Sequence, residues 1–253
     1  MKVVIIGAGN VATHLAKALH AKHVQVAQVW SYHYQNALTL ANKVNAKAIE
    51  NLKEIDQQAD VCLIVVKDDA IAEIAQQLKG FKGLIAHTSG AVNMEVLSGV
   101  AEHYGVFYPL QTFSKHKTLN FADVPLCLEA NDTSALHTLK ELAGKLSSNS
   151  TEVNSEKRKI LHLAAVFACN FTNHLYALSA ELLKANDLDF AILRPLISET
   201  AAKVEHALPL DVQTGPAIRN DEQTLKKHEE LLLQQPQLLE IYKTLSNSIK
   251  KTR

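Results

Sequence analysis

Charge of one sign is missing from this chain, since 26 Lys and Arg stand against 26 Asp and Glu for a formal net of zero. Nucleic-acid binders need a basic excess or a basic face to neutralise phosphates. No Lys/Arg cluster breaks the even distribution here, so no nucleic-acid partner is expected. The short basic run at Lys250, Lys251 and Arg253 reads as a solvated tail. Long hydrophobic runs are missing as well. A bilayer span takes about 20 consecutive apolar residues, and every apolar run here is short and broken by charge, so no membrane is expected as a partner. The first strand begins at once, without the charged and then apolar leader of a secretory signal. Cysteine is scarce: Cys62, Cys127 and Cys169 each stand alone in an apolar stretch, without metal-ligand spacing. They read as buried thiols in a reducing compartment, which points to the cytoplasm and to no metal site.

What is present is enough apolar residue, 47% of the 253, to build a real core. In the first half, β-branched runs alternate with helical patterns. Strands are predicted at 3–6, 24–29, 61–66 and 84–86, with weaker ones at 46–49 and 106–108. Residues 125–129 and 151–153 extend the sheet around a helix at about 134–146. This is the pattern of an α/β fold with a doubly wound, mostly parallel Rossmann sheet. After Ser155 the strand signals stop, and helices are predicted at 156–185, 190–206, 222–234 and 236–250. The expected organisation is a dinucleotide-binding domain over 1–153 and an all-helical second domain over 154–253.

Gly7-Ala8-Gly9-Asn10-Val11-Ala12 follows the first strand directly and opens a helix. It fits G-x-G-x-x-A, in which the first glycine permits a tight turn and the second lets the backbone approach a pyrophosphate. The alanine allows close helix–strand packing. Free N–H groups at the helix start then face the phosphates. The end of strand two discriminates between cofactors. An NAD site usually offers Asp or Glu there for the ribose hydroxyls, and this chain has no acidic residue before Glu50. Ser31, Tyr32 and His33 stand at that end instead. A carboxylate would repel a 2′-phosphate, so its absence suits NADP better than NAD; Ser31 offers a hydrogen bond, though no Arg is present to clamp the phosphate.

Ligands of open α/β sheets bind beyond the carboxyl ends of the strands. Strand four runs through Val66 into Lys67-Asp68-Asp69, where an Asp either faces the ligand or caps the helix starting at Ala70. Strand five runs into His87-Thr88-Ser89-Gly90, which places polar groups where nicotinamide would lie, unless His87 is simply hydrogen-bonded in the sheet rim. Strand six runs into Tyr108-Pro109-Leu110-Gln111-Thr112-Phe113. In the second domain, the helix from Glu156 is apolar almost all round, as expected of a central buried helix. His162, Asn170 and Asn173 fall on it within an arc of roughly 80°. They are candidates to line a groove holding nicotinamide and substrate, against the alternative of helix–helix hydrogen bonding. In Thr214-Gly215-Pro216-Ala217, Gly215-Pro216 sets a turn. Asn220 with Gln223 forms a candidate capping box, with Asp221 the other candidate cap. Arg219 suits a carboxylate or phosphate, or a structural pairing with Asp221.

The fingerprint, His87-Thr88-Ser89-Gly90-Ala91, Tyr108-Pro109-Leu110-Gln111-Thr112-Phe113, His162-Leu163-Ala164-Ala165-Val166-Phe167, Asn170-Phe171 and Thr214-Gly215-Pro216-Ala217 span nearly the whole chain. This set resembles a bacterial family of Rossmann-like proteins labelled NADP oxidoreductases, with a C-terminal helical domain of unknown function. That family is distantly similar to pyrroline-5-carboxylate reductase and more loosely to ketopantoate reductase and 6-phosphogluconate dehydrogenase. The resemblance implies a second domain that closes over the nicotinamide and contributes to a homodimer. The chain departs from it at Tyr32, where relatives often have Arg, at Lys67, where they often have Pro, and at Tyr108, where His is common.

The expected reaction is hydride transfer between NADP(H) and a small imine, carbonyl or alcohol, with the cofactor carrying the redox chemistry. His162 is the first candidate to handle the proton and His87 the second, because imidazole titrates near neutrality. Asn170 joins them to orient the reacting groups. Gly7, Ala8, Gly9, Asn10, Val11, Ser31, Tyr32, Val66, Lys67, Asp68, Thr88 and Ser89 are the cofactor-binding candidates. Tyr108, Gln111, Asn173, Thr214 and Arg219 are those for substrate. The alternative is a non-catalytic dinucleotide-binding redox sensor or regulator.

Overall fold

The computed structural model describes residues 1–114, 117 and 119–252. The chain forms two compact units, Met1–Asn170 and Phe171–Arg253.

The first unit is built on one sheet of β1 (Lys2–Ile6), β2 (Gln25–Trp30), β3 (Lys47–Ile49), β4 (Val61–Ile64), β5 (Leu84–His87), β6 (Tyr104–Pro109), β7 (Leu126–Ala130) and β8 (Ser150–Glu152). Their order is β3-β2-β1-β4-β5-β6-β7-β8. Every pairing is parallel except β6 with β7. The mostly parallel Rossmann sheet expected from the alternation is therefore present.

Both faces of the central strands are covered, which explains their continuous Val/Ile runs. Val3, Ile5, Val29 and Leu63 point to one side, into a core shared with α1 (Asn10–Ala21), α2 (Tyr34–Lys43) and α4 (Thr133–Leu146). Val4, Ile6, Cys62 and Ile64 point to the other, against α3 (Ile71–Gln77). A smaller cluster of Met94, Val106, Tyr108 and Cys127 takes Leu161 from α5 (Ser155–Ala165). From β1 the chain turns to β2 on one side, and from β3 it crosses to β4 on the other. The crevice where the winding reverses therefore opens at the carboxyl ends of β1 and β4.

A π-helical turn, Val166–Phe171, follows α5. The second unit carries α6 (Thr172–Lys184), α7 (Arg194–His206), α8 (Glu222–Leu231) and α9 (Pro236–Lys251). Within it His228 Nδ1 meets the Tyr242 hydroxyl at 2.9 Å, and Lys243 pairs with Glu229.

Four local expectations are corrected. Asp68 and Asp69 cap nothing: Asp68–Ala70 is a short 3₁₀ turn, and neither it nor α3 has a side-chain cap. The cap of α8 is Asp221, whose carboxylate accepts from the Thr224 N–H, while Asn220 is held at φ +53°, outside a capping conformation. Cys169 is exposed rather than buried. The helix expected to be central and buried, α5, buries only Ser155 and Arg158 and half-buries Leu161; Ile160 is 68% and Leu163 52% exposed. Apolar periodicity records that a face is to be covered, not whether the same chain covers it. In the basic tail Lys250 bonds Glu222, and Arg253 lies outside the described residues.

Candidate active site

Gly7 sits where β1 passes β4. Its φ is +130°, and a Cβ there would stand 2.0 Å from the Val65 carbonyl oxygen. Its N–H bonds the Trp30 carbonyl at 2.7 Å, so the turn is fastened to β2 as well. Gly9 is different: among the described residues a Cβ on it would meet nothing within 4 Å. Gly9 is the N-cap of α1 and, lacking a side chain, makes no side-chain cap to the first-turn N–H groups. Ala12 is fully buried against the sheet. A turn closed on its inner side and open on its outer side, beside a helix start, fits a pyrophosphate. The Asn10 side chain donates to the Phe113 carbonyl at 3.0 Å, and His14 Nε2 contacts the Ser114 carbonyl, bringing the segment after β6 alongside.

At the end of β2, Ser31 is half-buried and Tyr32 is 86% exposed, its ring edge-on to His33. No carboxylate intervenes in the sequence there. Val66, Lys67 and Asp68 follow β4, with Lys67 and Asp68 exposed.

Beyond β5, Thr88 is tied back to β4 by its N–H to the Ile64 carbonyl at 3.1 Å. The Ser89 hydroxyl accepts from the N–H groups of Ala91 and Val92, each at 3.0 Å, which makes it a turn-builder. His87 is completely buried, and its Nδ1 accepts from the Ser89 N–H at 3.2 Å. That bond fixes the proton on Nε2, which has no partner at hydrogen-bond geometry among the described residues. Burial, and next the Arg158 charge, hold the His87 pKa down to about 4, while the Asn93 backbone pulls weakly the other way.

The structure brings Tyr108 of β6 and His162 of α5 together: the hydroxyl and Nδ1 are 3.0 Å apart, with the rings edge to face. Gly90 lies against both, and a Cβ on it would stand 2.7 Å from His162 Nδ1 and 2.8 Å from Tyr108 Cζ. Only glycine leaves room for the pair. Burial first, with the neighbouring Cys127 thiol, pushes the Tyr108 pKa up to about 12, so the phenol stays protonated.

Sequence reasoning missed the support beneath this pair. Arg158 is fully buried, ion-paired to Glu129 of β7, and donates to the Val92 carbonyl at 2.6 Å. The Ser155 N–H and hydroxyl both donate to Glu129 at 2.8 Å, and the same hydroxyl accepts from the Met94 N–H. No local signal marked it, since Arg158 stands within the charged run Glu156-Lys157-Arg158-Lys159 and its partner lies 29 positions earlier.

Of the remaining candidates, Gln111 folds its own side chain back onto the Thr112 N–H. Asn170 is exposed, and the π-helical turn interrupts the regular phase that set it on the His162 arc. Asn173, Thr214 and Arg219 are exposed in the second unit; Arg219 lowers the Asp221 pKa only as a weak through-space contribution, after Thr224. Among the described residues no cluster suits a metal ion, and no helix is long and apolar enough to cross a membrane. Within the first unit an open cleft of about 510 Å³ lies at the opposite, amino end of the strands, lined by Met1, Asp60, Lys82 and His103.

A Rossmann-like domain family matches residues 1–111, and a domain of unknown function, DUF2520, matches residues 124–249. No protein of curated function matches the chain. Among solved structures, a "putative NADP oxidoreductase" of Bacteroides fragilis is 45% identical, with a TM-score of 0.94 over 99% of this chain and 98% of its own. A 1-pyrroline-5-carboxylate reductase from Streptococcus pyogenes is 13% identical, with a TM-score of 0.66 over 99% and 98%. An imine reductase from Myxococcus stipitatus, in complex with NADP+, is 14% identical, with a TM-score of 0.64 over 99% and 92%. The last two share the fold.

Proposed function

The chain belongs to the family of Rossmann-like proteins with a C-terminal DUF2520 domain, and on that premise we propose that it is an NADP-dependent oxidoreductase of small imines, carbonyls or alcohols. The observation that carries this reading is the glycine turn at the sheet's reversal point, closed at Gly7 and open at Gly9.

Gly7, Ala8, Gly9, Asn10 and Val11 would hold the pyrophosphate through backbone N–H groups. Ser31 and Tyr32 stand where the adenosine ribose would end, and the lack of a carboxylate there favours a 2′-phosphate. Val66, Lys67, Asp68, Thr88 and Ser89 line the rim beyond β4 and β5. Bound in this crevice, NADPH supplies the hydride, and the protein has only to orient the substrate and handle one proton.

His162 is the group that handles it. The Tyr108 hydroxyl both donates and accepts, so it satisfies Nδ1 whether or not the imidazole is charged. Nε2 is then the nitrogen left to hold or release a proton at the substrate nitrogen or oxygen. His87 is a poor second, because burial keeps it neutral and out of solvent reach. The fold shared with an imine reductase and a pyrroline carboxylate reductase makes cyclic imines the first substrates to try.

A homodimer is the assembly that accounts for the exposed Ile160 and Leu163 on α5. The free thiols support a reducing, cytoplasmic location.

The test follows NADPH absorbance with cyclic imines and 2-oxo acids. Replacing His162→Gln is expected to lower turnover at least about 100-fold, within the usual range for a lost general acid, with the NADPH Kd unchanged. Unchanged turnover would remove His162 from the mechanism.

A further inference from the structure

The first unit buries a charged cluster that the roles above do not use. Arg158 is fully buried in α5, paired with Glu129 of β7 and bonded to the Val92 carbonyl, while Ser155 links Glu129 to the Met94 N–H. Salt bridges in such surroundings gain little stability over apolar packing. Its geometry points to a different use.

In the β6–β7 ladder, Glu129 lies opposite Val106 and Cys127 lies opposite Tyr108. Two residues along an antiparallel strand advance about 6.8 Å. On α5, Arg158 and His162 are four residues apart, which advances about 6 Å and keeps both on one face. The helix therefore meets the ladder in two rungs of matched spacing. Arg158 reaches Glu129 at the first, and His162 reaches Tyr108 at the second. The same cluster grips Val92 and Met94, just beyond Gly90, the residue whose missing side chain admits both rings.

We propose that Glu129, Arg158 and Ser155 are positioning residues that set the register of α5 on the β6–β7 ladder and so hold His162 Nδ1 on the Tyr108 hydroxyl. None of them touches substrate. The catalytic consequence rests on the oxidoreductase reading above, whereas the geometric one does not.

The test replaces both charges, Glu129→Gln with Arg158→Met, so that no unpaired charge is left buried. Two quantities are read: NADPH-dependent reduction of 1-pyrroline, and the long-range ¹H–¹⁵N spectrum of His162, which reports its tautomer and its Nδ1 hydrogen bond. The expected result is an unchanged NADPH Kd, a kcat lower by roughly 10-fold to 100-fold, and loss of the hydrogen-bonded Nδ1 signature. A folded double variant with wild-type kcat and a wild-type His162 signal would overturn the proposal. Should the double variant fail to fold, Ser155→Ala removes only the hydroxyl and is expected to move both readouts in the same direction, with Ser155→Thr restoring them; no movement in Ser155→Ala is equally decisive against it. A wild-type protein that reduces no imine, yet shows the His162 signal and loses it in the variant, would sink the proposed reaction and leave the positioning role standing.

Discussion

Replacing Gly9 by alanine separates the cofactor from the fold. The residue is at φ −75°, which any L-residue adopts, and its new methyl would meet nothing within 4 Å among the described residues. Two small effects on stability oppose each other: alanine is a poorer N-cap than glycine, while its stiffer unfolded chain stabilises by about 0.4 to 1 kcal/mol. The net change is within about 1 kcal/mol, or a few degrees in Tm for a chain of this size. The methyl would nevertheless project into the open side of the turn, where a pyrophosphate must approach the backbone. Losing one or two hydrogen bonds to charged oxygens costs about 3 kcal/mol, which corresponds to more than about 100-fold in Kd. Gly7→Ala is the control with the opposite character. Its methyl would lie 2.0 Å from a carbonyl oxygen at φ +130°, so it should destabilise the fold by at least about 3 kcal/mol. Thermal denaturation and NADPH fluorescence titration read both variants. A Gly9→Ala protein that binds NADPH with wild-type affinity would refute the cradle as the pyrophosphate site.

Tyr32→Arg places a guanidinium at an exposed position beside the expected 2′-phosphate. A solvent-facing pair of this kind is worth about 1 kcal/mol, so NADPH should gain about 5-fold over NADH in competition titrations; equal gain for both cofactors would contradict the placement. His87 makes stability depend on acid. Its pKa is lowered in the fold from 6.5 to about 4, so between those values the unfolded chain binds the extra proton and stability falls as pH falls. The full loss approaches about 3 kcal/mol. Urea denaturation from pH 7 to pH 4 should show this slope, flattened in His87→Gln, and an unchanged slope in that variant would assign the effect elsewhere.

The doubly wound sheet was legible because parallel strands buried on both faces announce themselves as β-branched runs, and because Gly7 and Gly9 follow β1 without a gap. The Tyr108–His162 pair was legible only as two separate candidates. Its register depends on an antiparallel β6–β7 ladder and on a helix phase that no local pattern encodes. Arg158 looked like an ordinary helix-surface residue in sequence, since its partner Glu129 lies 29 positions away. Cys169 and the apolar faces of α5 were misjudged for a different reason: hydrophobic periodicity states that a face avoids water, and a neighbouring molecule satisfies that as well as a core does.

The central claim is that the Gly7–Gly9 turn holds NADPH, and a thermal-shift titration of the wild-type protein tests it most directly. A ligand that binds only the folded state at 100 times its Kd adds about 2.7 kcal/mol, which for this chain length raises Tm by about 5 to 10 °C. NADPH is expected to produce that rise, and NADH a smaller one at the same concentration. A Tm unmoved by either dinucleotide would contradict it.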